Sequence, residues 1–215
     1  MSERVNILLE KDRVRTQGLV AYGCDELGVI LPDASHLPEV ETFIQHVVEG
    51  LKSGTHTVHG GGTLTYGYWT VHFRQEAVGN LSIWEHSADL SHLVPGIVLT
   101  LGYWRDQHEM CSKVHAEFHP PRHDQMVAIS KGVLDGDVVQ GVRYPSPGHM
   151  SGWWITSDRY DGNISSLTTE HLYHLTAARP SLARYLALPV GFRFDFQHGE
   201  DIWFDQNAAN QPANK

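Results

Sequence analysis

Between Met126 and Phe196 the chain is a succession of short β-rich runs. Such a pattern reads as a small sheet with a helical segment. An apolar run, Met126-Val127-Ala128-Ile129-Ser130-Lys131, crosses a turn at Leu134-Asp135-Gly136-Asp137 into Val138-Val139-Gln140-Gly141-Val142. A Trp-rich run, Ser151–Asp158, follows, and Leu186-Ala187-Leu188-Pro189-Val190-Gly191-Phe192 closes the stretch. Two strands about a Gly-containing turn, a third Trp-rich strand, a helical segment and a last aromatic strand predict one α+β unit. Residues 192–196, Phe-Arg-Phe-Asp-Phe, alternate with period two, as a half-buried strand does. No catalytic motif occurs in this stretch, which points to a protein that works by presenting a surface.

Trp153 and Trp154 are neighbours in the Trp-rich strand, so alternation sends their indoles to opposite faces. A sheet covered on both sides would bury the two of them, and that is the arrangement expected. An exposed indole beside Asp158 and Asp161 would instead make an anchor for a protein partner, since Trp is enriched at interface hot spots.

The first half predicts a second small α+β unit. Val5–Glu10, Gly18–Tyr22 and Gly28–Leu31 read as strands, the last stopped by Pro32. From Ser35, Leu37, Val40, Phe43, Ile44, Val47, Val48 and Leu51 recur at three- and four-residue steps, an amphipathic helix bracketed by Gly50 and Gly54. Thr55–Val58 and Thr63–Phe73 read as strands about the connection Gly60-Gly61-Gly62, and Leu81–Trp84 as a partner strand. No Lys-Ser or Lys-Thr pair follows the three glycines, so they are no phosphate loop. A helix is predicted from Pro95 to about His115, with Ile97, Val98, Leu101, Trp104, His108 and Cys111 on one face. Pro120-Pro121 cannot continue it and marks the expected boundary between residues 1–122 and 123–206. In the second unit a helix is expected from about Thr169 to Ala178, broken by Pro180, with a further turn over Ser181–Leu186. The Asn-, Ala- and Gln-rich tail 207–215 reads as disordered.

At 215 residues and 41% hydrophobic content, the chain is long enough to bury roughly 70% of its unfolded surface without staples. Cys24 and Cys111 form no disulfide framework, so a reducing compartment fits. No secretory apolar region opens the sequence, and no run reaches the ~18 residues of a membrane span. A soluble, cytoplasmic protein is expected. The net charge is −9, and both halves are acidic. That speaks against nucleic acid as a partner, because phosphate contacts need Lys and Arg, and would steer a basic partner instead.

Fifteen histidines raise the question of metal. Cys111, His115, His119 and His123 fall at four-residue intervals, with His108 one turn earlier, a row that an uninterrupted helix would turn into a zinc-like face. The two prolines must break that row before His123, and Cys111 falls on the apolar stripe as a small hydrophobe. His108-Glu109-Met110-Cys111 lacks the second His of a zincin. No Gly-x-Ser-x-Gly elbow is present, and Cys24 beside Asp25 and Glu26 lacks the cations that activate a thiol. No catalytic residue, metal or cofactor is therefore assigned. The alternatives kept open are a metal-dependent enzyme using Cys111, His115 and His119 or a pocket of His56, His59 and His72, and a non-catalytic adaptor.

Val127-Ala128-Ile129-Ser130-Lys131, Ser151-Gly152-Trp153, Pro180-Ser181-Leu182 and Leu188-Pro189-Val190-Gly191 with an aromatic strand, in that order, resemble bacterial immunity-protein family 33. The resemblance spans about Gln125–Phe196. After the Trp strand it departs from the family pattern, with Thr156–Asp161 where the family carries an acidic Gly-Asp-Glu-like segment. It implies a small α+β domain that neutralises a polymorphic toxin, such as an effector of type VI or contact-dependent secretion. An acidic inhibitor without a signal peptide suits a cytosol-acting nuclease, whose cleft is basic, with NAD-degrading toxins the next expectation. Loops carry binding surfaces more often than strands, so Asp135, Asp137, Asp158, Tyr160 and Asp161 are the candidate partner-binding residues.

Overall fold

The computed structural model describes residues 5–31 and 33–212. The chain forms two compact units, Met1–Gly102 and Tyr103–Lys215, each an α+β arrangement about one sheet. The division falls inside a helix, upstream of the Pro120-Pro121 pair expected to mark it.

In the first unit β1 (Asn6–Glu10), β2 (Arg13–Gln17) and β3 (Glu26–Ile30) precede α1 (Leu37–Ser53), followed by β4 (Thr63–Tyr66), β5 (Trp69–Ala77), β6 (Asn80–His86) and β7 (Leu93–Pro95). The sheet order is β1-β2-β3-β6-β5-β4, with β7 beside β6, and the β3/β6 pair is parallel. Strand alternation sends Val14, Leu27, Val29, Val71, Phe73, Leu81 and Ile83 into the core. The stripe of α1 meets them: Val40, Phe43, Ile44, Val47 and Val48 are buried, each contributing about 2 kcal/mol of transfer free energy. Phe43 lies edge-on to Tyr66 at 5.2 Å between ring centres. Gly54, at φ 72°, closes the helix in the left-handed conformation that a side chain would disfavour.

Three expectations fail here for identifiable reasons. Leu19–Tyr22 is a 3-10 turn and not a strand, because the Glu26 carboxylate accepts from the amides of Gly18 (2.8 Å) and Leu19 (3.0 Å) and from Thr16 Oγ1 (2.7 Å), folding the chain back after β2. Thr63–Phe73 is two strands, turned at Gly67. Thr55–Val58 stays outside the sheet, so the three glycines are a turn bonded alongside β5 (Gly61 N–H to Phe73 O, 2.7 Å) and not a hairpin connection. Pro32, taken to stop β3, lies outside the described residues.

Helix α2 (Val98–Lys113) begins after Pro95, which lies in β7. Its N-terminus is capped from the sheet: Glu85 of β6, 3% exposed, accepts from the amides of Leu99 (2.8 Å) and Thr100 (2.7 Å) and from Thr100 Oγ1 (2.7 Å). A carboxylate at this end also complements the helix dipole. Burial pushes its pKa up, and the three donors oppose the rise.

In the second unit α2 ends at Lys113, well before the prolines. His115 takes the left-handed conformation (φ 54°), and the Ala116 amide returns to Cys111 O at 2.8 Å. Then follow β8 (Met126–Ile129), β9 (Val139–Arg143), β10 (Met150–Ser157), β11 (Thr168–His171), α3 (Leu172–Ala178), a 3-10 segment Pro180–Tyr185, β12 (Phe192–Asp195), β13 (Asp201–Phe204) and α4 (Gln206–Ala209). The sheet order is β11-β8-β10-β9-β12-β13. The expected β8–β9 hairpin is absent: β10 inserts between them, parallel to β8 and antiparallel to β9. Thr169–His171 belongs to a strand, so α3 is shorter than expected. Asn207–Ala209, expected to be disordered, lies in α4, which Asp205 caps while Ala208 is fully buried; residues 213–215 lie outside the described residues.

Arg143 is the hub of this unit. It points from β9 into the covered side of the sheet and is 9% exposed. Its guanidinium donates to Ser151 O (3.0 Å), His119 O (2.6 Å), Leu186 O (3.2 Å) and Leu188 O (2.6 Å). No carboxylate among the described residues pairs with it, and burial pulls its pKa down to about 10. The glycines of the two family-like motifs adjoin this hub. Gly152, at φ 82°, sits where a Cβ would fall 2.3 Å from Tyr144 O. Gly191, at φ 94°, donates to Arg143 O at 2.8 Å, and a Cβ there would meet Phe204 at 2.6 Å.

Two outcomes follow. Arg143→Met should cost about 3 kcal/mol of unfolding free energy, since orphaned buried acceptors cost about 1–3 kcal/mol each; an unchanged urea midpoint would contradict the hub. Burial, with repulsion from His56 and His86 respectively, also lowers the pKa of His46 and His72, and burial alone lowers that of His108. The folded state then binds fewer protons than the unfolded one. Stability is accordingly full above the unfolded value of 6.5 and falls as pH drops through it, with the urea midpoint as readout. Replacing the three histidines by glutamine should flatten that slope.

Candidate functional site

Alternation in the second sheet separates its two faces. Val127, Ile129, Trp153, Ile155, Val139 and Phe194 point to the covered side, where α3 supplies Leu172 and Leu175, the 3-10 segment Leu182, and the residue after it Leu186. Trp153 is fully buried, and its Nε1–H donates to Leu186 O at 2.9 Å. Gln107 from α2 donates to Ala183 O at 2.9 Å.

The opposite face stays open. Strand register sets Trp154 beside Val142 and Val142 beside Arg193, and in the next row Thr156 beside Gln140 and Gln140 beside Asp195. Trp154 is only half-buried, so the expected cover on both faces is not there. The loop after β10 brings Tyr160, Ile164 and Leu167 to the edge of this face, and together they enclose a hollow of ≈ 400 Å³. A smaller hollow of ≈ 160 Å³, lined by the 145–150 loop, adjoins it and shares Trp154. The ring of Tyr144 meets Trp154 edge-on at 5.9 Å. The cation on the floor, Arg193, is paired with Asp205 at 2.8 Å.

The sequence-derived candidates separate into two groups. Asp135 and Asp137 are held by Arg159, which contacts Asp135 Oδ2 at 3.1 Å and Asp137 Oδ2 more closely, so one of their two charges is offset locally. Tyr160 lines the hollow itself. Asp158 and Asp161 flank it in sequence and are exposed. The Asp161 carboxylate accepts from Asn163 N (2.9 Å) and Ser166 Oγ (3.1 Å), which lowers its pKa and keeps it ionised. Sequence reasoning missed Gln140, Val142 and Arg193. The alternation Gln140-x-Val142-x-Tyr144 was the available signal, but it says nothing of which strand lies alongside.

The histidine row is not assembled. Cys111 is buried, with its pKa pushed up to about 11 by burial. His115 follows the end of the helix, and His119 sits by Glu117 at 3.3 Å. His56 faces His46 (Nε2 to Nε2, 3.1 Å), His59 approaches Gly60 O at 3.0 Å, and His72 packs on His86, so each has a different neighbour. Among the described residues no group of three or more His, Cys, Asp or Glu is placed to hold a metal ion. No helix among them is long and apolar enough to cross a membrane.

No curated protein and no solved structure matches the chain. Residues 106–205 do match a family model, that of the Imm33-like domain. The match covers the strands of the open face and the lining of both hollows except Gln211, and it extends the likeness read from the Ser151-Gly152-Trp153 and Leu188-Pro189-Val190-Gly191 motifs by some residues at each end. The second unit is thus similar, over residues 106–205, to the Imm33-like domain of the immunity proteins.

Proposed function

We propose that the chain is an immunity protein that binds a cognate bacterial toxin and neutralises it by occlusion, with no chemistry of its own. The match of residues 106–205 to the Imm33-like domain carries this reading. The open, half-aromatic face supports it, because a face left uncovered on an otherwise well-packed unit is the usual form of a protein-binding surface. The finer reading is a cytosol-acting nuclease as partner, delivered by type VI or contact-dependent secretion, with the immunity protein in the cytoplasm. The net charge of −9 supports that choice, since a nuclease cleft is basic and long-range attraction speeds encounter.

Co-expression with the product of the adjacent reading frame tests the reading. Cells should survive only when this chain is present, and the two purified proteins should form a stable complex. Toxicity undiminished by the chain, with no complex formed, would defeat it. Within a complex, Asp135→Asn and Asp137→Asn should change affinity by less than about threefold, because Arg159 already pairs with both carboxylates.

A further inference from the structure

We propose that the hollow beside Trp154 receives a cationic side chain, an arginine or lysine, projecting from the partner protein. This rests on the immunity reading for the identity of the partner, but the recognition chemistry stands on the geometry of the second unit.

The walls are aromatic. Trp154 is half-buried, Tyr144 lies edge-on to it, and Tyr160 closes the loop side. Aromatic faces attract cations through their quadrupole, by an amount that grows as water is excluded. A volume of ≈ 400 Å³ is ample for a guanidinium and its methylene stem. One charged residue, Arg193, lines it, and the neighbouring rows of the face add carboxylates. Asp195 stands next to Gln140 in the β9/β12 register, Asp201 next to Asp195 in the β12/β13 register, and Asp161 follows Tyr160 directly. The nearby cations are engaged: Arg193 with Asp205, and Arg159 with Asp135 and Asp137. The cation that lines the hollow is thus already paired with a carboxylate, and Asp195 and Asp201 stand in the adjoining rows of the same face. Polar ends on Gln140 and Thr156 can accept the N–H groups of a planar guanidinium.

The experiment needs no knowledge of the toxin. The intact protein is titrated with N-acetyl-arginine-N-methylamide, and separately with the citrulline analogue, its neutral isostere, while the Trp indole N–H resonances are followed by NMR. The Trp154 resonance, assigned with Trp154→Phe, should shift and saturate with the arginine probe. Binding should be about threefold to thirtyfold tighter than that of the citrulline probe, the range of a cation–π contact. Asp195→Asn combined with Asp201→Asn should narrow that ratio. Equal response to both probes, or no response at Trp154, overturns the proposal. Where a toxin complex is in hand, Trp154→Ala should weaken it at least about tenfold, as hot-spot truncations do. A complex that forms with wild type and is unaffected by Trp154→Ala overturns the site and leaves the immunity reading intact. A chain that rescues no toxin while still preferring the arginine probe fails the immunity reading and not the site.

Discussion

A single guanidinium, that of Arg143, ties together the backbone on the closed face of the second sheet. Four carbonyls from three separate stretches of chain converge on it: Ser151 in β10, His119 in the segment after α2, and Leu186 and Leu188 after the 3-10 turn. Arginine is suited to this, with five donors in a fixed plane and no accessible neutral form at physiological pH. The absence of a carboxylate is consistent with the task. Carbonyl dipoles satisfy the donors and leave the cation free to gather backbone that has no other partner. Without those bonds Leu188 O would lose its donor, while Leu186 O would keep the indole N–H of Trp153 and Ala187 O the amide of His119.

That closure has a consequence on the other side. A strand cannot hide both of two consecutive tryptophans unless both faces are covered, and the covering elements of this unit are gathered where Arg143 points. Trp154 is therefore left half-exposed by the same geometry that fully buries Trp153. The open face is an outcome of the packing arrangement, and its hollow is framed by a loop that the packing does not require to be there.

How much of this was legible in the sequence differs by the range of the interaction. The α1 stripe, the strand over Met150–Ser157 and the alternating strand at Phe192 were readable, because their periodicity is local. The motif glycines were readable as markers, and the structure supplies the reason: Gly152 and Gly191 adopt positive φ with no room for a Cβ. What escaped was set at long range. The start of α2 depends on Glu85 from β6, the turn after β2 on Glu26 from β3, and the insertion of β10 between β8 and β9 on a parallel pairing that no turn residue announces. The acidic turns illustrate the same limit at the site. Asp135, Asp137, Asp158 and Asp161 look alike in sequence, yet an arginine more than twenty positions away pairs with the first two.

Charge placement, more than total charge, then governs what the open face can recognise. A net charge of −9 favours any cationic partner at a distance, but it is screened beyond about a Debye length of ~8 Å and carries no positional information. Close to the sheet the pattern is more specific. Arg159 and Arg193 are both held by carboxylates of their own chain, so the local cations are withdrawn from any incoming group. Aromatic rings line the hollow, and Asp195 and Asp201 stand in the adjoining strand rows. A surface built that way offers an anion a guanidinium already paired with Asp205 and carboxylates in the rows beside it. It discriminates for a cation only if that cation is flat or slim enough to lie against Trp154, and this is a property of side chains rather than of whole surfaces.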